Sequence, residues 1–425
     1  MQALKQKAHN ALRRSEGFFK TDMVYLAKGG FWLTLTQFVG TLSALILSIA
    51  FAHLFSKDAY GTYKYILALS GIIGTFTLTG LGSAVTQSVA RGFDSSLKKA
   101  FKTMLKWSTL ITVAALSGSI YYYFNDNLLL SASLIIIGIA SPIIDATSLF
   151  VSYLSGKKEF KTLSVLNMIG ILFPNICLVI SLFFTKNVLM IVLVYFASYV
   201  LVLSLSYLYT ITRFRPQSQD DPEIVSYAKH LTLLGILNAV ADQIDKVLVF
   251  HYVGAVELAV YSFAVALPLQ IKGTLKGIAV LAFPKFAERP IEGIMKDIKQ
   301  KMLRLLFITV CIVTVYILVS PYLYKLLFPQ YLESVIYSQV FSLSLLGFIS
   351  SFPSTVLQAK KYIKGLYWAN MLVAITKIVL LFVFVYMWGV WGVVIARITY
   401  EYIATAIVWI ILSAVTKNEK MSPVV

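Results

Sequence analysis

LSGKKEFKTLSVLNM (154–168) and LQAKKYIKGLYWANM (357–371) are one stretch written twice: a leucine, three lysines, a second leucine and an Asn-Met pair coincide. Here the offset is 203 positions, 357 against 154. Upstream it is 198, 261 against 63, and places Tyr63, Ala68, Leu69, Ile73, Ala84, Arg91, Lys98, Met104 and Leu105 on Tyr261, Ala266, Leu267, Ile271, Ala282, Arg289, Lys296, Met302 and Leu303. The change in offset fits an extra outer-loop segment around PYLYKLLFP (321–329) in the second half. Self-similarity on this scale identifies a duplicated structural unit.

The unit is a membrane unit. Of 425 residues, 58% are hydrophobic and 13% charged, with mean hydropathy +0.79. Soluble proteins carry about 25% charged residues, so this composition disfavours soluble enzymes and nucleic-acid-binding proteins despite a net charge of +18. Apolar stretches long enough for about 30 Å of hydrocarbon lie near 30–55, 62–90, 104–124, 128–152, 163–184, 188–212, 231–253, 258–285, 302–320, 333–357, 367–387 and 390–414. The expected fold is therefore an all-α polytopic membrane protein with twelve transmembrane helices in two six-helix bundles. An even number of spans per unit gives a parallel repeat, its axis along the membrane normal.

Basic residues alternate between loops. Lys5, Lys7, Arg13, Arg14, Lys20 and Lys28, then Arg91 to Lys106, Lys157, Lys158, Lys161, Arg213, Arg215, Lys229, Lys285 to Arg304, Lys360, Lys361, Lys364, Lys417 and Lys420 fall on one side. The intervening loops hold Lys57, Lys64, Lys186 and Lys325. The positive-inside rule then predicts a multi-pass protein of the cytoplasmic membrane with both termini cytoplasmic. The expected division is a basic segment 1–29, a first lobe 30–212, a polar linker 213–229, a second lobe 230–415 and a tail 416–425. The basic segment is unlike a signal peptide, and it reads either as a helix on the inner leaflet or as a disordered tail.

Ionisable residues inside the spans carry the chemistry. Asp145, Asp242, Asp245, Lys246, Lys272, Lys276, Lys377, Arg397 and Glu401 each cost about 2.5–3.5 kcal/mol at the bilayer centre, so they should line a wet cavity or pair. Asp242 with Lys246, Lys272 with Lys276, and Arg397 with Glu401 are four apart, on common helix faces. Two lysines on one face favour a shared anion; the alternative is that Lys246, Lys272 and Lys276 satisfy Asp242, Asp245 and Asp145 in buried ion pairs. Lys272, Lys276 and Lys377 align with Gly74, Leu78 and Pro174, which puts the cationic function in the second lobe. Pro142, Pro174, Pro268, Pro284 and Pro353 are expected bends. Most aromatics read as interface anchors, with Tyr63, Tyr65, Tyr252 and Tyr261 the candidates for stacking on sugars. Cys177 and Cys311 lie in apolar runs, and no metal, redox or nucleotide motif occurs.

AHLFSKDAYGTYKY (52–65), matched by VGAVELAVYSF (253–263), resembles the signature of the polysaccharide or O-antigen (lipid-linked oligosaccharide) flippase family, within the multidrug, oligosaccharidyl-lipid and polysaccharide exporter superfamily. The resemblance implies a flippase that carries a polyprenyl-pyrophosphate-linked oligosaccharide from the inner to the outer leaflet by alternating access. Lys246, Lys272, Lys276, Lys377 and Arg397 are then the headgroup ligands. Asp145, Asp242, Asp245 and Glu401 tune these cations or carry a coupled proton or sodium ion. No cofactor is expected, nor any nucleic-acid partner. Membrane lipids and envelope-assembly proteins are the further partners expected of a functional monomer. The rivals are a multidrug exporter, which should have an acidic cavity, and a polytopic glycosyltransferase or polymerase, which needs a large outer loop with catalytic acids.

Overall fold

The computed structural model describes residues 23–217, 219–288, 291–360 and 362–421, with side chains at 23–28, 234, 276–288, 291–299, 301, 349–352, 359, 363–364 and 415–421 outside the description. Most of the basic segment, 1–22, and the side chain of Lys276 thus lie outside the described residues. Long apolar runs leave the backbone no hydrogen-bond partner but itself in lipid, and the described chain is helical with no strand.

The helices are α1 (Met23–Leu54), α2 (Lys57–Ile73), α3 (Leu81–Ala90), α4 (Ser96–Trp107), α5 (Thr109–Phe124), α6 (Leu128–Gly156), α7 (Phe160–Phe184), α8 (Val188–Phe214), α9 (Ile224–Ala241), α10 (Ile244–Tyr252), α11 (Ala255–Glu288), α12 (Ile291–Leu327), α13 (Ser334–Ser342), α14 (Ser351–Ala359) and α15 (Ile363–Met421). Their ends keep the offsets of the sequence repeat. Leu54 and Tyr252 close α1 and α10, and Lys57 and Ala255 open α2 and α11. Gly156 and Ala359 close α6 and α14, and Phe160 and Ile363 open α7 and α15.

Among the described residues eight helices are long and apolar enough to cross a membrane, nine if the pair Lys57–Phe76 and Leu81–Ala90, bent by 58°, counts as one span. The difference from twelve has a local cause. Three expected segments are interrupted, at Thr77–Gly80, at Ser108 and at Asp242–Gln243, and the last two run together as α15. That joint is Gly389, whose φ of 55° and ψ of −127° turn the chain in a conformation open to glycine. The expected proline bends are not where the chain breaks: Pro142 and Pro174 sit inside the continuous α6 and α7. PYLYKLLFP is not loop either, since residues 321–327 are the last turns of α12 and Pro329–Tyr331 is a 3-10 turn.

In the first half, α6 packs against α3, α4, α5 and α8, and α7 lies between α1 and α8. In the second, α11 packs on α13 and α14, while α9, α10 and α14 pack on α15. The halves meet where α2 touches α10 and α11 and where α3 touches α9. At the end of α2 that carries Lys57, aromatics seal this seam. Phe51 stacks on Tyr63 with centroids 5.1 Å apart, Tyr60 meets Phe263 at 4.9 Å, and Phe263 meets Tyr331 at 4.0 Å. Gly61 lets the backbones touch there, because a Cβ would stand 1.7 Å from the Ala255 carbonyl oxygen.

At the opposite end the connector between α8 and α9 is latched to the first half by Asp221. Its carboxylate accepts from Ser88 Oγ at 2.6 Å and from the Glu223 amide at 3.0 Å, and pairs with Arg91. Its amide donates to Ser96 Oγ at 3.1 Å, and its carbonyl accepts from Lys99 at 3.1 Å. Burial pushes the Asp221 carboxyl up, but the hydrogen bonds from Ser88 and Glu223 and the charges of Arg91 and Lys99 outweigh it and hold the group below its ordinary value.

Two predictions follow from these contacts. Gly61→Ala should cost at least about 1–3 kcal/mol by overpacking and lower the thermal midpoint of the detergent-purified protein. Gly30→Ala, with nothing within 4 Å of the added carbon, should not lower it. Because the folded-state pKa of Asp221 is depressed, its contribution is present above the ordinary carboxylate value of about 3.9 and lost as pH falls through the lowered value. Asp221→Asn should therefore lower the midpoint at neutral pH and flatten its acid limb in a pH series.

Candidate functional site

The break at Asp242–Gln243 ends α9 and starts α10 inside the expected seventh span, and the polar residues that would be lost in a continuous helix gather around it. The ion pairs formed there run between helices. Asp245, in the first turn of α10, accepts from Arg397 of α15 at 2.6 Å and from the Tyr261 hydroxyl of α11 at 2.6 Å. Its other oxygen accepts the Lys246 amide at 2.8 Å. Asp242 pairs with Lys377 at 2.6 Å, and Lys272 of α11 pairs with Glu401 of α15. Lys377 also stands 5.4 Å from the Tyr400 ring centroid, and Arg397 5.7 Å from that of Phe341.

These partners correct the spacing argument. Asp242 and Lys246 do not pair along one helix face, because the helix stops between them; Lys246 Nζ instead donates to Gln243 Oε1 at 2.7 Å. Arg397 and Glu401 share a helix but turn to different partners. Asp145 makes no ion pair among the described residues, and only its backbone carbonyl is engaged, by Ser148 Oγ at 2.8 Å. The side chain of Lys276 lies outside the described residues. Three of the four candidate sugar-stacking tyrosines are turned inward: Tyr63 and Tyr261 are buried, and Tyr65 stacks on Phe250 at 3.9 Å with its hydroxyl bonded to Tyr122, while Tyr252 stays exposed.

Two of these pairs differ in access. Asp245 is 2% exposed and its partner Arg397 12%, whereas Asp242 is 70% exposed beside a Lys377 that is 5% exposed. Asp245 is thus locked in protein while Asp242 faces an opening. A buried pair is held by its geometry and added hydrogen bonds rather than by net gain, and Asp245 has both.

One cation was missed by sequence reasoning. Lys64, assigned to an outer loop, lies inside α2, two turns from its start, with its ammonium 5.5 Å from the Tyr60 ring. Lys64 of α2 and Lys246 of α10 stand on helices that pack against each other across the seam between the halves. A signal was present: Lys64 takes the repeat position of Ser262, beside the Tyr261 that binds Asp245. Gln243, whose Cγ comes within 2.9 Å of a Cβ at Gly71 of α2, was also unmarked. Among the described residues Lys64, Lys246, Lys272, Lys377 and Arg397 number five cations in this region against the three carboxylates Asp242, Asp245 and Glu401. Lys64 and Lys246, one from each half, are the two that make no ion pair among the described residues.

A family model described as polysaccharide biosynthesis protein matches residues 26–290. The chain belongs to that family. No curated protein sequence matches it. Among solved structures, the chain is similar in fold to the lipid II flippase MurJ in an inward closed conformation, with TM-score 0.68 at 14% identity over 90% of this chain and 86% of that one. It is similar to an inward-facing multidrug resistance MATE family transporter of the MOP superfamily, with TM-score 0.67 at 15% identity over 89% and 96%. For an outward-facing MATE transporter the score is 0.61 at 16% identity over 92% and 96%. The protein is a multi-pass membrane protein with the fold of these transporters.

Truncating either acid tests the packing. Asp245→Asn should cost about 3–5 kcal/mol by leaving Arg397 buried and uncompensated, and Arg397→Met in the same chain should restore most of it. Asp242→Asn should likewise destabilise the protein, because it strands Lys377, whose side chain is 5% exposed. Denaturant unfolding of the purified protein in detergent checks both.

Proposed function

We propose that this protein is a flippase carrying an anionic lipid-linked oligosaccharide, a polyprenyl pyrophosphate with its sugars, from the inner to the outer leaflet of the cytoplasmic membrane. The observation that carries the reading is the excess of cations at the seam, with Lys64 and Lys246 brought from opposite halves and neither paired with a carboxylate. Phosphate oxygens accept short charge-assisted hydrogen bonds from ammonium and guanidinium groups, and such contacts strengthen where water is excluded. The lipid tail stays in the bilayer while the headgroup crosses. Lys246 and Lys64 take the pyrophosphate; Lys377 and Arg397, already neutralised, shape the field around it, and Lys272 lies further along the same path.

Alternating access is the motion this reading requires. It draws support from the aromatic seal at one end of the seam and from the higher fold likeness to inward-facing relatives. On the positive-inside rule the sealed end, with Lys57, Lys186 and Lys325, is the outer one, and both chain termini are cytoplasmic. We assign coupling by a proton or sodium ion to Asp145, the intramembrane carboxylate that makes no ion pair among the described residues. A cationic drug would meet like charge at Lys64 and Lys246, which counts against the multidrug exporter reading.

The test is transfer of a polyprenyl-pyrophosphate oligosaccharide across proteoliposomes. Lys64→Gln with Lys246→Gln should lower transfer at least about tenfold, the worth of about 1.4 kcal/mol, with the thermal midpoint kept. Lys64→Arg with Lys246→Arg should retain transfer. Undiminished transfer by the glutamine variant, or export of a cationic dye by the unaltered protein with no transfer of the glycolipid, rejects the proposal.

A further inference from the structure

A second cationic feature lies outside the seam, on the membrane-facing side of the first half. At the end of α7 and α8 opposite the aromatic seal, the two antiparallel helices leave a cleft of about 600 Å³ between them. Lys161, in the first turn of α7, and Arg213, in the last turn of α8, stand at its mouth. Below them the walls are apolar, with Val165, Ile169 and Leu205 exposed to the acyl region.

Both cations stand beside rings rather than carboxylates. The Lys161 ammonium sits 5.9 Å from the Trp32 centroid, and the Arg213 guanidinium 5.9 Å and 6.0 Å from those of Tyr209 and Phe214. Neither forms an ion pair among the described residues, whereas the neighbouring Lys157 is neutralised by Asp94. Cation–π contacts fix a charge while leaving its hydrogen-bond donors open.

We propose that this cleft is a binding site for an anionic phospholipid of the inner leaflet, its phosphate between Lys161 and Arg213 and one acyl chain along Val165, Ile169 and Leu205. The order of the walls matches the order of the ligand: charge at the level of the headgroups, apolar surface beneath it. A protein partner would have to bury this surface within the hydrocarbon, and a soluble anion would gain nothing from the apolar walls. The site is separate from the ion pairs of α10, α11 and α15, so it stands whatever the transported molecule is.

The full chain in phosphatidylcholine nanodiscs, titrated with phosphatidylglycerol and followed by native mass spectrometry and thermal midpoint, tests it. The unaltered protein should retain phosphatidylglycerol in preference to phosphatidylcholine. Lys161→Gln with Arg213→Gln should weaken retention about 30-fold, at about 1 kcal/mol for each cation near an anionic surface and tenfold per 1.4 kcal/mol. Val165→Trp, which fills the cleft with both charges intact, should weaken it as well. Lys98→Gln with Lys102→Gln, exposed lysines at the same membrane face, should change nothing. Equal retention of the two lipids overturns the proposal. So does full retention by either cleft variant, or an equal loss in the Lys98 and Lys102 control.

Discussion

A carboxylate in hydrocarbon must find donors, and Asp245 finds three on three separate pieces of chain. Arg397 and Tyr261 reach it from α15 and α11, and the amide of Lys246 caps it from α10 itself. Helices surrounded by lipid gain little from burying apolar side chains against one another, because the tails are as apolar as leucine. Polar ties of this kind therefore decide which helix faces meet. Interrupting the seventh span at Asp242–Gln243 is what frees Asp245 to sit at a helix start, and the rest of the second half is arranged around that choice.

The two halves share a skeleton and not a charge pattern. Helix ends at Leu54 and Tyr252, Lys57 and Ala255, Gly156 and Ala359, and Phe160 and Ile363 keep register through the duplication. On that common frame the second half places three cross-helix ion pairs, while the first offers Lys64 to the same cluster. Divergence at single positions, a lysine where the copy has Ser262 and a glycine where it has Lys272, suffices to give each half its own charge pattern.

The spans and the duplication were legible because they are carried by many residues at once: hydropathy over twenty positions and identities at a fixed offset survive local error. Seven residues of the charged cluster, Asp242, Asp245, Lys246, Lys272, Lys377, Arg397 and Glu401, were legible for a different reason, since an intramembrane charge is costly wherever it points. Its partners were not. A spacing of four specifies a common face only while the helix continues, and the break after Asp242 sends that carboxylate to Lys377 and leaves Lys246 to Gln243. Lys64 was lost to the boundary of a span, where a residue two turns inside a helix looks like loop in a hydropathy plot. Tyr261 was noticed for its ring, but it is the hydroxyl, donated to Asp245, that the fold uses.

The distribution of contacts across the seam also limits what a motion of the halves can change. Asp245 with Arg397 and Tyr261, Asp242 with Lys377, and Lys272 with Glu401 all lie within the second half, so a rotation of one half against the other carries them along intact. What it alters is the backbone contact of Gly61 with Ala255, the ring contact of Tyr60 with Phe263, and the separation of Lys64 from Lys246. The first two hold the sealed end together. A rotation that opens the sealed end must also part Lys57 from Glu333, the ion pair that joins the halves there, while on the proposed function an anion held between Lys64 and Lys246 ties the halves together two turns further along α2.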